Sequence, residues 1–229
     1  MKPVDYNYWA GYKGRDADSC NPDLRVAMNK LYGEKFDFGM IKDNKVFWSH
    51  SDKIHCSPDG NSSYTSLYGN YIGKMPFRKN VVENFDSIAK EIYNLSCSIA
   101  GEFFFPCEKI DNKWTINQTR GMLSSISDRI DLTLRDIKYF YDEKVEDYPL
   151  KDVLNRYKDF FSKFGDFKGY VDYCLLQDFC KENYEVDLWK DEKGLPKNEE
   201  ELVSFWKWSI EKLESRAKRI AKKCVGKEL

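Results

Sequence analysis

Apolar positions recur along this chain with two different periods, and the change between them separates a mixed first half from a helical second half. From Asn21 the period is helical: Leu24, Met28 and Leu31 share one face. Asn21 suits an N-cap, Pro22 the first helical position and Gly33 a left-handed residue past the end. From Lys35 to about Phe77 the period shortens. Phe36, Phe38, Val46, Phe47 and Trp48 lie in short β-prone runs around the turn-like Lys42-Asp43-Asn44-Lys45, and Ser57-Pro58-Asp59-Gly60-Asn61-Ser62 reads as a loop. Asn80 to Tyr93 returns to helical spacing through Phe85, Ile88, Ala89 and Ile92. Ile99–Phe105 and Lys113–Asn117 read as a hairpin joined by Asp111-Asn112. Phe103-Phe104-Phe105 is too apolar to have an exposed face and is expected in a central strand.

After Ser127 the pattern predicts helices throughout. Ile130, Leu134, Ile137 and Tyr141 form one stripe, and Val153, Leu154, Tyr157, Phe161 and Phe164 a second. Asp166 opens a third through Tyr170, Val171, Cys174, Leu175 and Phe179. Asn198-x-x-Glu201 opens the longest, through Leu202, Trp206, Ile210, Leu213, Ala217, Ile220 and Cys224, with Gly194-Leu195-Pro196 before it. The first 20 residues are aromatic- and Gly-rich without a clear period and are expected to wrap over the domain. No internal repeat or low-complexity linker interrupts the chain. The expectation is one α+β domain over residues 1–229, a small antiparallel sheet from the N-terminal half packed on a mainly helical C-terminal half.

Composition narrows the function classes. Aromatic residues make up 16% of the chain, ample for a buried core. Lys+Arg at 37 nearly cancels Asp+Glu at 38, so no global field draws the chain to nucleic acid or an anionic membrane. No segment reaches the roughly 18 apolar residues of a membrane helix, and the N-terminus lacks a secretory pattern, which predicts a cytoplasmic protein without membrane contact. The 7 cysteines are odd in number, scattered and free of any C-x-x-C pair, which argues for buried free thiols over a disulfide framework or zinc ribbon.

Little of the sequence marks catalysis. His50 and His55, with Cys56, do not have structural-zinc spacing, so no metal site is expected; His50 is the candidate general base. Gly11-x-x-Gly14 is neither a dinucleotide fingerprint nor a P-loop. Two mixed-charge clusters carry more. One runs from Arg15 to Arg25 into a helix start. The other is Asn117-x-x-Arg120-Gly121 followed by Asp128-Arg129-x-Asp131. Arg25, Asn117, Arg120, Asp128 and Arg129 could together hold an anion; equally, Arg–Asp pairs at helix starts fix loops. Arg120, beside Gly121, is expected to reach outward, Arg129 to be structural, and both to lie near Arg25. The C-terminal Arg216, Lys218, Arg219, Lys222, Lys223 and Lys227 read as a solvated face complementing the helix end, the one local patch where nucleic acid could bind.

Several of these stretches resemble a bacterial family known only as a domain of unknown function. The similarity runs through Asp16-x-Asp18-Ser19-x-x-Pro22-x-Leu24-Arg25, Ser49-His50, Gly101 to Pro106, and Thr115-Ile116-Asn117-x-x-Arg120-Gly121. It continues in Asp128-Arg129-Ile130-Asp131-Leu132-Thr133-Leu134, Pro149-Leu150, Arg156-Tyr157-x-Asp159-Phe160-Phe161, Phe164-Gly165-Asp166-Phe167-x-Gly169-Tyr170-Val171 and Leu175-Leu176-Gln177-Asp178. The family pattern has two adjacent histidines where this chain has Ser49-His50. The resemblance implies one continuous domain with Asp16, Arg25, Asn117, Arg120, Asp128, Arg129, Asp131, Asp166 and Asp178 in recurring motifs, and it brings no activity or cofactor with it. Two readings follow. One is a domain that binds, or acts on, an anionic or nucleotide-like ligand through the Arg/Asp cluster, with His50 or an Asp as base. The other is an interaction protein, a regulator or inhibitor of a protein or nucleoprotein partner, for which Tyr and Trp supply anchors.

Overall fold

Asn21 opens the first helix as its side chain allows: Oδ1 accepts the N–H groups of Asp23 at 2.9 Å and Leu24 at 3.1 Å, and α1 runs Pro22–Tyr32. Gly33 keeps a right-handed φ of −65°, and its N–H caps Asn29 O, so the expected left-handed ending is replaced by a continuing turn. The computed structural model describes residues 21–43, 45–60, 64, 74–190 and 194–225, the last two by backbone alone. The wrapping N-terminal segment, the Arg15–Cys20 part of the first cluster, Asn61, Ser62 and Lys227 lie outside the described residues.

After α1 come β1 (Phe36–Asp37), β2 (Met40–Lys42), β3 (Lys45–Phe47) and β4 (Ile54–Gly60), then α2 (Arg78–Asn84), α3 (Asp86–Ser96) and β5 (Glu102–Pro106). β2 and β3 form the expected hairpin. The other sheet has the order β1-β4-β5, parallel between β1 and β4 and antiparallel between β4 and β5, so it is mixed. Its central strand contains Ser57–Gly60, which the sequence presents as a loop. Pro58 fits because β1 pairs with β4 only at Ile54 and His55; at Pro58 the ladder runs on the β5 side alone, where a residue without an N–H is tolerated. β5 is therefore an edge among the described residues, yet all five of its residues are buried.

The second half of the expected 99–117 hairpin is absent. Asp111 and Asn112 do turn, with φ of 54° and 55°, but the chain then enters α4 (Ile116–Met122). Thr115 and Gln118 form a capping box there, which the local T-x-x-Q pattern announces. The helix expected over Asn80–Tyr93 breaks at Phe85 (φ −118°, ψ 43°) into α2 and α3, leaving Phe85 exposed while Ala89 and Ile92 are buried. α5 (Ile130–Asp142) follows. The second stripe divides at Tyr157 into α6 (Lys151–Arg156) and α7 (Lys158–Ser162). Asp166 caps α8 (Phe167–Tyr173) by accepting Gly169 N–H at 2.7 Å. Asn198 likewise accepts Glu201 N–H at 2.9 Å, starting α9 (Glu199–Val225). Glu201 reaches back to Lys197 N–H at 2.9 Å, one residue short of a capping box. The stretch before α9 is irregular apart from a short turn at Gln177–Phe179 and a Cys180–Val186 bridge.

One face of the sheet joins the two halves. Phe36 and Phe104 stand 5.3 Å apart between centroids, and Phe160 packs 5.2 Å from Phe36. Tyr32 lies 4.8 Å from Phe104. α9 closes the core through Leu202, Trp206, Leu213 and Ile220, all at 0% exposure. Cys56, Cys97, Cys107, Cys174 and Cys180 carry free thiols, and burial pushes those of Cys97 and Cys180 up to about 12, which makes them poor nucleophiles. No helix among the described residues is long and apolar enough to cross a membrane.

Candidate functional site

Two of the three candidate arginines meet inside the protein. The α4 capping box aims Arg120 at the sheet. Its Nη1 pairs with Asp59 of β4, Nε donates to Thr133 Oγ1 at 2.8 Å and Nη2 to Asp128 O at 2.8 Å, with the guanidinium 5.3 Å over Phe105. Thr133 Oγ1 in turn donates to Arg129 O at 2.8 Å. Arg129 grips Asp131 through Nε (3.1 Å) and Nη2 (2.6 Å), and donates to the carbonyls of Lys190 and Gly194, both at 3.1 Å. Trp189 lies 5.1 Å beneath it and sends its backbone N–H to Asp131. Arg120 is 0% exposed and Arg129 1%, so Arg120 points inward as Arg129 does and not out of the chain turn.

Asp128 holds the connection between α4 and α5. Ser127 and Asp128 both take left-handed φ, 50° and 59°. The Asp128 carboxylate sits over Gly121, where a Cβ would lie only 3.2 Å from it, so a side chain at 121 would press on Asp128. Asn117 is half-buried in the first turn of α4. The result is a buried polar network joining β4, α4, α5 and the backbone of Trp189, Lys190 and Gly194.

Arg25 and His50 belong to a different corner. Arg25 donates Nη1 to Phe38 O, lies 6.0 Å from the Trp48 ring and has Cys107 as an electrostatic neighbour. Cys107 N–H bonds to His55 O, and His55 is four residues, roughly 13 Å, along β4 from Asp59. Arg25 is thus separated from the Arg120 network. The corner is built on Asp37, a residue the sequence reading did not single out. Its carboxylate accepts Gly39 N–H at 2.8 Å, Ser49 N–H at 2.7 Å and His50 N–H at 2.9 Å, tying both ends of the hairpin to β1. Burial acts to raise its pKa, but these three N–H groups, with His55 nearby, hold it below the ordinary carboxylate value. Asp37-x-Gly39 is a turn signature in which an Asx side chain bonds the backbone two residues on. Gly39, at φ +64°, has Val46 Cγ1 2.7 Å from its missing Cβ.

On this base the hairpin presents apolar groups outward. Met40 and Phe47 are directly opposed and are 55% and 48% exposed. Trp48 follows, its ring stacked on His55 at 4.2 Å and 6°. His55 is fixed by Glu108 Oε1 at 2.8 Å on Nδ1 and by the His50 carbonyl at 3.2 Å on Nε2. His50 contributes its backbone to this arrangement, and its imidazole is exposed. Val26, next to Arg25 on α1, is also exposed; Asn29, three residues on, bonds Gly39 O. Four of the nine large apolar side chains exposed among the described residues therefore gather here. At the hairpin tip Lys42 stands across from Lys45.

The C-terminal cations divide: Lys218 and Lys222 are exposed, as a solvated face requires, while Arg216 and Arg219 are held by groups of the protein. Arg216 is buried under four carbonyls, those of Ala100, Glu102, Cys174 and Leu175, and stands 4.7 Å from the Phe103 ring. Arg219 forms a forked pair with Asp178 at 2.9 and 3.0 Å. The helical period brings Arg216 onto the Leu213/Ile220 side, where it donates to carbonyls around the start of β5 and past α8.

Compared with known proteins, residues 2–220 match the model of a family described as a family of unknown function (DUF6994). No curated protein and no solved structure matches the chain.

Proposed function

The chain belongs to that family of unknown function, so its role has to be read from its own surface, and we propose that it is an interaction domain docking a protein partner on the β2–β3 corner. The observation that carries this reading is the outward Met40–Phe47 pair, extended by Trp48 and Val26 on a base rigidified by Asp37. Apolar side chains clustered on a rigid element mark contact surfaces, and Met, Phe and Trp are enriched at interface centres. Reading the protein as an anion binder draws on Arg25, Arg120 and Arg129. Those side chains are 3%, 0% and 1% exposed, and each donates to groups inside the protein, so the corner has the better support.

The partner's chemistry follows from the tip. Like charges directly opposed on a hairpin are destabilising, and Lys42 faces Lys45. An acidic partner segment relieves that repulsion while its apolar side chains cover Met40 and Phe47. The test is selection from a randomised peptide library, followed by titration of enriched peptides by fluorescence anisotropy. Enriched peptides should pair Asp or Glu with aromatic or aliphatic residues, and should weaken at least about tenfold against Met40→Ser/Phe47→Ser. Equal binding to that double variant removes the proposal.

A further inference from the structure

The register of the β2–β3 ribbon fixes where its free backbone groups point. Only two residues separate Lys42 from Lys45, so these two exchange both of their backbone hydrogen bonds, and by alternation Met40 and Phe47 do the same. Ile41 and Val46, the pair between them, turn their N–H and C=O groups out of the ribbon. The β2 side lies against α1, where Asn29 Nδ2 donates to Gly39 O at 3.0 Å. On the other side β3 has no second strand among the described residues, so the Val46 groups stand at an open edge. Trp48, two residues on, likewise bonds no backbone group among the described residues through its own N–H or C=O.

Alternation also sorts the side chains. Met40, Lys42, Lys45 and Phe47 are exposed and share one face, with Ile41 and Val46 half-buried on the other. Along β3 this sets a cation, Lys45, and an aromatic ring, Phe47, two residues or about 7 Å apart on the exposed face. We infer that the partner segment binds as an added β-strand along β3 and presents an acidic and an apolar side chain two residues apart.

The inference rests on the docking reading above and adds to it a backbone conformation and a spacing. In strand addition the main chain pairs with the open edge, and alternate side chains supply specificity. An extended segment repeats every second residue, which matches the Lys45–Phe47 step. A helical segment places neighbours on one face three or four residues apart and leaves the Val46 edge unpaired. A second copy of this chain is the poorer occupant, because β2 and β3 contain no carboxylate to set against Lys42 or Lys45.

Peptides enriched from a randomised library on the wild-type protein test the spacing first: Asp or Glu should stand two residues from an aromatic or aliphatic residue. One enriched peptide is then synthesised with each backbone nitrogen methylated in turn. Only every second N–H of an added strand points at β3, so methylation at alternate residues should weaken binding about tenfold or more, and at the residues between by less than about threefold. On the protein, exchange of the Val46 amide hydrogen should slow about tenfold or more in saturating peptide. Peptides that bind and weaken against Met40→Ser/Phe47→Ser, yet show a spacing of three or four or a uniform methylation profile, overturn the inference and leave the docking reading standing. Failure to enrich any peptide overturns both. A protein that sediments as a dimer with the Val46 amide already protected before peptide is added assigns the edge to a second copy and overturns the inference as well.

Discussion

Arg120 and Thr133 meet through a single hydrogen bond, Nε to Oγ1 at 2.8 Å, which ties α4 to α5, and the same oxygen donates onward to Arg129 O at the start of α5. The ion pair of Arg120 with Asp59 completes the connection to β4. A buried charge pair is costly to break from one side, because the remaining charge keeps its desolvation cost and loses its partner. Arg120→Met should therefore destabilise the protein by about 3–5 kcal/mol in urea denaturation, and Arg129→Met, stranding Asp131, by a similar amount. Adding Asp59→Leu to Arg120→Met should recover part of the loss. A melting curve for Arg120→Met that overlays wild type means that Asp59 has another sufficient partner.

Asp37 gives the fold an acid-sensitive joint. Its folded pKa is depressed, so its contribution is fully present above the unfolded value of about 3.9 and is lost as pH falls through the lower folded value. Asp37→Asn keeps the size but loses charge-assisted acceptance from Gly39, Ser49 and His50. At neutral pH it should cost roughly 1.5–3 kcal/mol. The gap between wild type and variant should narrow only when the pH drops below about 4. Denaturation midpoints across pH 3–7 decide it: a gap that is constant over the range means that the carboxylate's charge plays no part.

Leu213 tests the α9 seam. It is 0% exposed in the stripe with Leu202, Trp206 and Ile220, so Leu213→Ala should cost about 2–5 kcal/mol by lost transfer and cavity formation. Leu213→Asp should abolish the native near-UV spectrum. Native spectra for both variants would require the stripe to face solvent.

Helices with strong periods and caps were legible in the sequence: α1 from Asn21-Pro22, α8 from Asp166 and α9 from Asn198 each start where a side chain can take orphan N–H groups. Strand β4 was not, because Pro58, Asp59 and Gly60 are locally turn residues. What makes them a strand is remote: pairing with Phe103–Phe105 and a buried Arg120 for Asp59. The same remoteness hid the direction of Arg120. Sequence neighbours such as Gly121 suggested a turn with an outward side chain, whereas the capping box at Thr115 sets the helix phase that turns it inward. Of the candidate site, Asp128 and Arg129 adjoin the start of α5 as their sequence positions suggest, whereas Arg120 lies in the last turn of α4 and reaches them across the α4–α5 connection. The exposed corner could not be read, since Met40 and Phe47 look like any β-prone apolar pair until the register shows which face is uncovered.

Lys45 separates folding from partner binding within one substitution. It faces Lys42 across the hairpin, both side chains exposed, so the pair contributes repulsion and no buried contact. Lys45→Glu converts that repulsion to attraction and should stabilise the protein by about 0.2–1 kcal/mol, more at low salt than at high. The same change reverses the charge that the proposed acidic partner segment meets. Affinity for the selected peptides should fall, mainly through a slower association rate, because rim charges steer encounter more than they hold the complex. Phe47→Ser should have the opposite profile: stability within about 0.5 kcal/mol of wild type and faster dissociation. Chemical denaturation and stopped-flow anisotropy on the two variants read all four quantities. If Lys45→Glu raises stability and leaves peptide association unchanged, the tip lies outside the contact, and the partner must be recognised by the apolar face alone.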